Sequence, residues 1–203
     1  VDGLVEAFKK QEALYIADGH HRSASAVRVA KKRREQFGPG DEHTEYNYFM
    51  AILYPADQLH VYDYNRVVAD LKGMSEAEFL KKLEEKFAVT ERDDAVRPEK
   101  KGVFGMYLTD RWYRLEFKGD VPEDVIEALD VSILQDNLLA PILGIEDPRS
   151  DGRIDFVGGV RGLKELERRV HEDMAVAFSM YPTGLEELMA VADAGKVMPP
   201  KST

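Results

Sequence analysis

Gly102-Val103-Phe104-Gly105-Met106-Tyr107-Leu108 and Trp112-Tyr113-Arg114-Leu115-Glu116-Phe117 flank the short polar connection Thr109-Asp110-Arg111. Two such runs around a polar turn predict a β-hairpin. In the second run Tyr113, Leu115 and Phe117 alternate with Arg114 and Glu116, the two-residue period of a strand with one face in water. A local hairpin among irregularly spaced strands argues against a doubly wound parallel sheet. The expected fold class is therefore α+β, a mixed sheet with packed helices.

Working toward the N-terminus, Ser75 with Glu78 three residues on predicts a capping box that opens a helix running to Phe87. Phe79, Leu80, Leu83 and Phe87 fall on one face of that helix, which should pack on a sheet. Tyr46 to Tyr54 is continuously apolar and suits a central strand covered on both sides. Leu59 to Tyr64, after Pro55, reads as a further extended piece. Toward the C-terminus, Asp130 to Leu139 reads as a helix ended by Pro141, Arg161 to Glu172 as an amphipathic helix and Ala175 to Met180 as a strand. Thr183 with Glu186 reads as the cap of a last helix reaching Ala194. There is no internal repeat. Near the start, Leu14 to Ala17 is a short apolar run cut off at Asp18, read as a buried strand, and Gly19 supplies a turn. His20 to Phe37 contains neither Gly nor Pro, carries Ala24, Val27 and Ala30, and stops at Gly38-Pro39, so a helix spans it. A boundary near Asp41 to Tyr46 divides residues 1–40, a strand-turn-helix piece, from an α+β domain over 41–203.

The chain has 203 residues, 44% hydrophobic and 33% charged, which suits a folded core and excludes a disordered or fibrous class. With no Cys, there is no disulfide, no cysteine-ligated zinc or iron–sulfur cluster, and no thiol nucleophile. Twenty-eight Lys and Arg against 38 Asp and Glu leave a net charge of -10, which repels a polyanion and argues against nucleic-acid binding. The longest apolar stretches, Tyr48 to Tyr54 and Leu138 to Ile145, fall well short of the roughly 20 residues of a membrane span. No membrane association is expected. Val1 to Lys10 lacks a basic flank followed by an apolar core, so no signal peptide is visible and a cytoplasmic location is expected. The first residue is not Met and the chain ends in Pro199-Pro200-Lys201-Ser202-Thr203, from which we expect a piece of a longer protein.

Chemistry concentrates in Tyr15-Ile16-Ala17-Asp18-Gly19-His20-His21-Arg22-Ser23, which places a strand end, a glycine turn and a helix start within nine residues. The free N–H groups of a first helical turn and the positive end of its dipole favour an anion, and Gly19 permits close approach to the backbone. His20, His21 and Arg22 add donors, and a guanidinium can grip phosphate with two parallel bonds. Asp18 would hold a Mg²⁺ that bridges phosphate oxygens, or orient an imidazole. The plain alternative is that Asp18 caps the helix and both His are surface residues. Metal ligation by both His is disfavoured, because helical neighbours point about 100° apart whereas paired ligands use i and i+4.

Asp18 to Arg22, preceded by Leu14 to Ala17, resembles the signature of a bacterial and archaeal family of unknown function, number ten-fifteen in the domain-of-unknown-function series. The resemblance extends over Tyr62 to Leu71, Asn137 to Gly144, Arg153 to Gly159 and Met198 to Thr203. The same turn resembles that of free serine kinases of the ParB and sulfiredoxin superfamily, which phosphorylate L-serine with ADP or ATP. That likeness implies that residues 1–40 end a ParB/sulfiredoxin-like nucleotide-binding domain. It further implies that Gly19, His21, Arg22 and Ser23 hold nucleotide phosphates, and that Asp18, His20 and His21 are catalytic, with Asp18 on Mg²⁺ or on the reacting hydroxyl. The kinases' catalytic Glu precedes the turn, and only 17 residues precede Asp18 here, so no counterpart is assigned. Sulfiredoxin's Gly-Cys-His-Arg turn aligns with Gly19 to Arg22, but without the Cys sulfinic-acid reduction is excluded. ParB proteins follow a Gly-Glu-Arg-Arg turn with a DNA-binding helix-turn-helix that is not evident here.

Elsewhere, Asn65 and Arg66 in Tyr62-Asp63-Tyr64-Asn65-Arg66 are candidate substrate-orienting donors, the alternative being a strand end with a structural Arg–Asp pair. Arg28, Lys31, Lys32, Arg33 and Arg34 read as a solvated stripe that complements the helix dipole. Asp147 to Asp155 fails as a calcium loop, with Arg149 and Gly158 where oxygen ligands are needed. Gly158, Gly159 and Gly162 read as a tight strand-to-helix turn, and Lys201 as a side chain that could reach a phosphate or as part of a disordered end. The expected function is a nucleotide-dependent phosphotransferase on a small hydroxyl substrate such as free serine, using ATP or ADP with Mg²⁺. The alternative is a non-catalytic nucleotide- or anion-binding regulatory module.

Overall fold

The computed structural model describes residues 2–41 and 43–202. The chain divides into two compact units, residues 1–59 and 60–203, so the expected division after residue 40 falls inside the first. In the first unit α1 spans Asp2–Phe8 and α2 spans His20–Phe37, the latter with the predicted bounds. Gly38, at φ 85°, ends α2 by donating its N–H to the Arg34 carbonyl, a conformation that favours glycine. Neither expected strand of this unit forms: Leu14 to Ala17 and Tyr46 to Tyr54 have no strand pairing among the described residues. Glu45–Asn47 makes a single 3-10 turn instead, and Tyr48, Phe49, Met50, Ile52, Leu53 and Tyr54 are exposed. Apolar character alone does not make a strand; it needs a neighbour to receive its N–H and C=O groups.

The second unit follows the order β1 Tyr64–Val68, α3 Glu76–Leu83, β2 Phe87–Arg92, β3 Val103–Leu108, β4 Arg111–Phe117. After these come α4 Asp130–Leu134, β5 Ile154–Gly158, α5 Leu163–Glu172, β6 Val176–Ser179 and α6 Leu185–Asp193. The strands form one sheet in the order β2-β4-β3-β6-β1-β5, antiparallel at every pairing. The fold is α+β, with no parallel pair among the described residues. The predicted hairpin is β3–β4. Leu108 pairs with Arg111, so the turn is only Thr109 and Asp110, both at positive φ (45° and 60°), the backbone that matches strand twist.

Alternation along β1 sends Val68 to a large core beneath α3 and α4, and Val67 to a smaller one under α5. The first core includes Phe79, Leu83, Phe104 and Phe178; the second gathers Trp112, Val157 and Ala177 around Leu166 of α5. Because both faces of the central strands are covered, β3 and β6 are buried along their whole length. The Ser75 capping box forms as read, Ser75 N–H donating to Glu78 at 2.8 Å. The helix ends at Leu83, however, and Phe87 opens β2, its ring 5.9 Å from that of Phe104. β1 starts where an extended piece was expected to end. The Asp130 helix continues through a π-helical turn, Gln135–Leu139. The last helix is capped by Glu187 accepting from Gly184 N–H at 2.7 Å, while the Thr183 hydroxyl donates to the Ser202 carbonyl at 2.9 Å.

Candidate functional site

Two loci carry the expected residues, one in each unit. In the first unit, Gly19 takes the left-handed conformation (φ 75°, ψ 27°) immediately before α2. A Cβ at Gly19 would lie 3.1 Å from the exposed Arg22 guanidinium, which can swing aside, so it is the left-handed backbone that selects glycine. The helical ladder begins with the Ser23 N–H donating to the Gly19 carbonyl at 2.9 Å. The amides of His20, His21 and Arg22 precede that bond, and no side chain among the described residues caps the N-terminus. Asp18 is therefore not the cap that the plain reading supposed. Its carboxylate stands 3.7 Å from Arg22, both side chains largely in water. His20 and His21 are exposed and Ser23 is half-buried. Residues 18 to 23 thus share one turn with donors on an open surface. For Mg²⁺ the turn offers the single Asp18 carboxylate, and no cluster of three potential ligands occurs among the described residues. One carboxylate is enough only for an ion carried in on phosphates, which supply its other oxygens.

In the second unit, Asn65 and Arg66 sit on β1 and point to opposite faces. Asn65 is fully buried, its amide donating to Asp63 Oδ2 at 2.7 Å and accepting from Met180 N–H at 2.9 Å. Asp63 is also 3.6 Å from Arg97. Gly159 donates its N–H to the Asp63 carbonyl, and any Cβ there would fall 2.1 Å from the Asp63 carboxylate, which accounts for one glycine of the Gly158-Gly159 pair. Asn65 is thereby a strut between strands. Arg66 differs. It is 4% exposed, donates to the carbonyls of Tyr64 and Lys201, and lies 5.6 Å from the Phe156 ring. Burial pushes its guanidinium down to about 10, partly offset by Tyr64. It lines a cavity of about 380 Å³ together with Ser132, Gln135, Phe156 and Pro199.

The Pro199–Ser202 segment is not loose. The Ser202 hydroxyl donates to the Pro199 carbonyl at 2.7 Å, and Lys201 Nζ lies 5.7 Å from the Tyr64 ring. Thr203, the end of that motif, lies outside the described residues. Sequence reasoning missed Asp130, whose carboxylate accepts from Gly102 N–H at 2.8 Å and leaves Oδ2 without a partner among the described residues. Its only sequence signal was a helix start. It also missed His171, whose Nε2 lies 2.6 Å from Asp110 and 3.2 Å from the Tyr107 hydroxyl, residues brought together only by the packing of α5 on the hairpin.

A family model described as "Protein of unknown function (DUF1015)" matches residues 1–132, which include the Gly19 turn. The chain belongs to this family. No curated protein matches the chain. Among solved structures it is similar to a mutant free serine kinase in complex with AMP (TM-score 0.41, 19% identity, 70% of this chain and 52% of that one). It is also similar to a free serine kinase in complex with AMP (0.46, 20%, 95% and 67%) and to a conserved hypothetical protein from Pyrococcus furiosus (0.44, 20%, 95% and 70%). This DUF1015 chain thus spans from about half to 70% of the solved chains it resembles. Likeness at this level transfers no residue role.

Proposed function

We propose that this DUF1015 protein is a nucleotide-dependent phosphotransferase acting on a small hydroxyl compound such as free serine, with residues 18–23 as its phosphate-binding turn. In this reading residues 1–40 belong to a ParB/sulfiredoxin-like domain of a longer, cytoplasmic protein whose other residues complete the site. One observation carries it: Gly19, left-handed, opens an 18-residue helix whose first amides receive no side-chain cap among the described residues. Those amides, with Ser23 and the Arg22 guanidinium, hold phosphate oxygens. The substrate hydroxyl oxygen attacks the terminal phosphorus, the bond from that phosphorus to the departing ADP or AMP breaks, and the hydroxyl proton passes to Asp18 or to one of His20 and His21. Asp18 would be the residue that holds a Mg²⁺ brought in with the nucleotide, and that ion would supply charge neutralisation for the transferred group. Asn65 and Arg66, the residues expected to hold substrate, belong to the second unit, where Asn65 is a positioning residue for the strand that carries Arg66 and Arg66 is the one that meets a cavity.

The nucleotides bound to the solved chains choose the first probes and nothing more. The decisive assay incubates the chain, and a longer form carrying any adjoining sequence, with ATP or ADP, Mg²⁺ and free serine, and follows phosphorylated product and nucleotide binding together. Product formation supports the phosphotransferase. Binding without product in either form supports the second reading, a nucleotide- or anion-sensing module, which needs only the amides of the Gly19 turn. Absence of binding by both nucleotide and inorganic phosphate removes both.

A further inference from the structure

Arg66 presents an unbalanced charge. It stands inside the sheet, paired on one side with β5 and on the other with β6, and no carboxylate neutralises it among the described residues. Two backbone carbonyls take two of its five donors, and the Phe156 ring face adds a weaker attraction. These contacts offset part of the desolvation penalty but bring no full negative charge. Removal of a cation from water in this way, beside a cavity, makes a place where an anion gains more than it would at the surface.

The cavity walls say which anion. Val131, Leu139, Phe156, Pro199 and Pro200 give apolar surface, and Ser132 lies among them at a half-buried position of α4. The exposed carboxylates of Asp136 and Glu146 are also part of the lining, while Asp147 is already engaged by Arg149 at 2.9 Å. Arg66 and Arg149 against Asp136, Glu146 and Asp147 make the lining net negative by one charge. A di- or polyanion meets repulsion there, whereas one carboxylate reaching Arg66 finds the planar, two-donor match that guanidinium offers.

We propose that this cavity binds a small monocarboxylate, its carboxylate on Arg66 and its apolar remainder against Val131, Leu139 and Pro199. The site lies wholly within the second unit and does not rest on the nucleotide reading. Calorimetric titration of the whole chain with butyrate and benzoate tests it, with butyramide and inorganic phosphate as controls. Both carboxylates bind saturably, and the two controls bind at least about tenfold more weakly. Arg66→Gln weakens carboxylate binding by about 10- to 100-fold. Because Arg66 is a buried strand residue, Ser132→Phe is the companion variant: it fills the cavity with Arg66 in place and abolishes binding, while the fluorescence of Trp112 stays native. Arg22→Ala leaves carboxylate binding unchanged, so failure of the nucleotide reading is separable. Any of four results overturns the proposal: no carboxylate binding to the folded wild-type chain, butyramide bound as tightly as butyrate, phosphate bound as tightly as butyrate, or carboxylate affinity unaltered in both cavity variants.

Discussion

Asp130 should make the second unit lose stability as pH rises through the mildly acidic range. It begins α4, is 8% exposed, and has one oxygen bonded to Gly102 N–H while the other has no partner among the described residues. Burial, with nearby Glu187 adding to it, raises its carboxyl from 3.8 to about 6, against the smaller opposing pull of the Gly102 N–H and Lys101. The sign follows from proton counting. Below 3.8 the folded and unfolded chains both hold the proton, and the protonated carboxyl fits its site. Between 3.8 and about 6 the folded state holds more protons than the unfolded, so stability falls with pH; above that the full penalty applies. A shift of roughly two units corresponds to about 3 kcal/mol.

Other carboxylates run the opposite way. Glu116, beside Lys100 and Arg114, and Glu165, beside Arg168, are both held down to about 2, so their contribution is present above the ordinary carboxylate range and lost in acid. Comparison with Asp130→Asn cancels these terms, because the variant keeps an acceptor for Gly102 and lacks only the titration. Urea denaturation, followed by Trp112, the single Trp and one buried in β4, gives the stability of each protein from about pH 3 to about pH 8. The wild-type stability minus that of Asp130→Asn should fall by about 3 kcal/mol across that window, with its midpoint between the two proton affinities. A difference that is flat with pH, or rises, refutes the reasoning.

Arg22→Ala should weaken ADP or ATP binding about tenfold or more while shifting the melting temperature little, since the side chain is exposed and its pairing with Asp18 spans 3.7 Å; a large stability loss with unaltered binding counts against the phosphate turn. Gly105→Ala should destabilise the second unit by about 2–3 kcal/mol, because a Cβ there would stand 2.2 Å from Ser179 Oγ and 2.4 Å from the Val96 carbonyl, which only backbone movement relieves; a variant within error of wild type in urea would contradict that packing. Ser75→Ala should cost about 1 kcal/mol by the same measurement, and Ser75→Gly only a few tenths, if the capping box acts as drawn.

What the sequence disclosed and what it concealed divide along a physical line. The hairpin, α2 and the Ser75 cap were legible because each is decided within a few residues: alternation across a polar turn, a run between Gly19 and Gly38, and a serine three residues from a glutamate. Tyr46 to Tyr54 misled because apolar content states a need for cover without supplying a partner strand. β1 and β5 were hard for the converse reason. Asn65 and Arg66 interrupt the apolar pattern of β1 and Asp155 that of β5, and only the pairing of β1 between β6 and β5 explains how β1 tolerates its two polar residues. The site follows the same division. The Gly19 turn could be read directly, since a helix N-terminus after a left-handed glycine is local geometry. Arg66 could be singled out with Asn65, but not separated from it. Adjacent residues on a strand face opposite sides, so one side chain became a strut between Asp63 and Met180 while the other met a cavity. The difference between a structural amide and a guanidinium without a counter-ion among the described residues is therefore made by strand order, and strand order is what a linear reading holds least of.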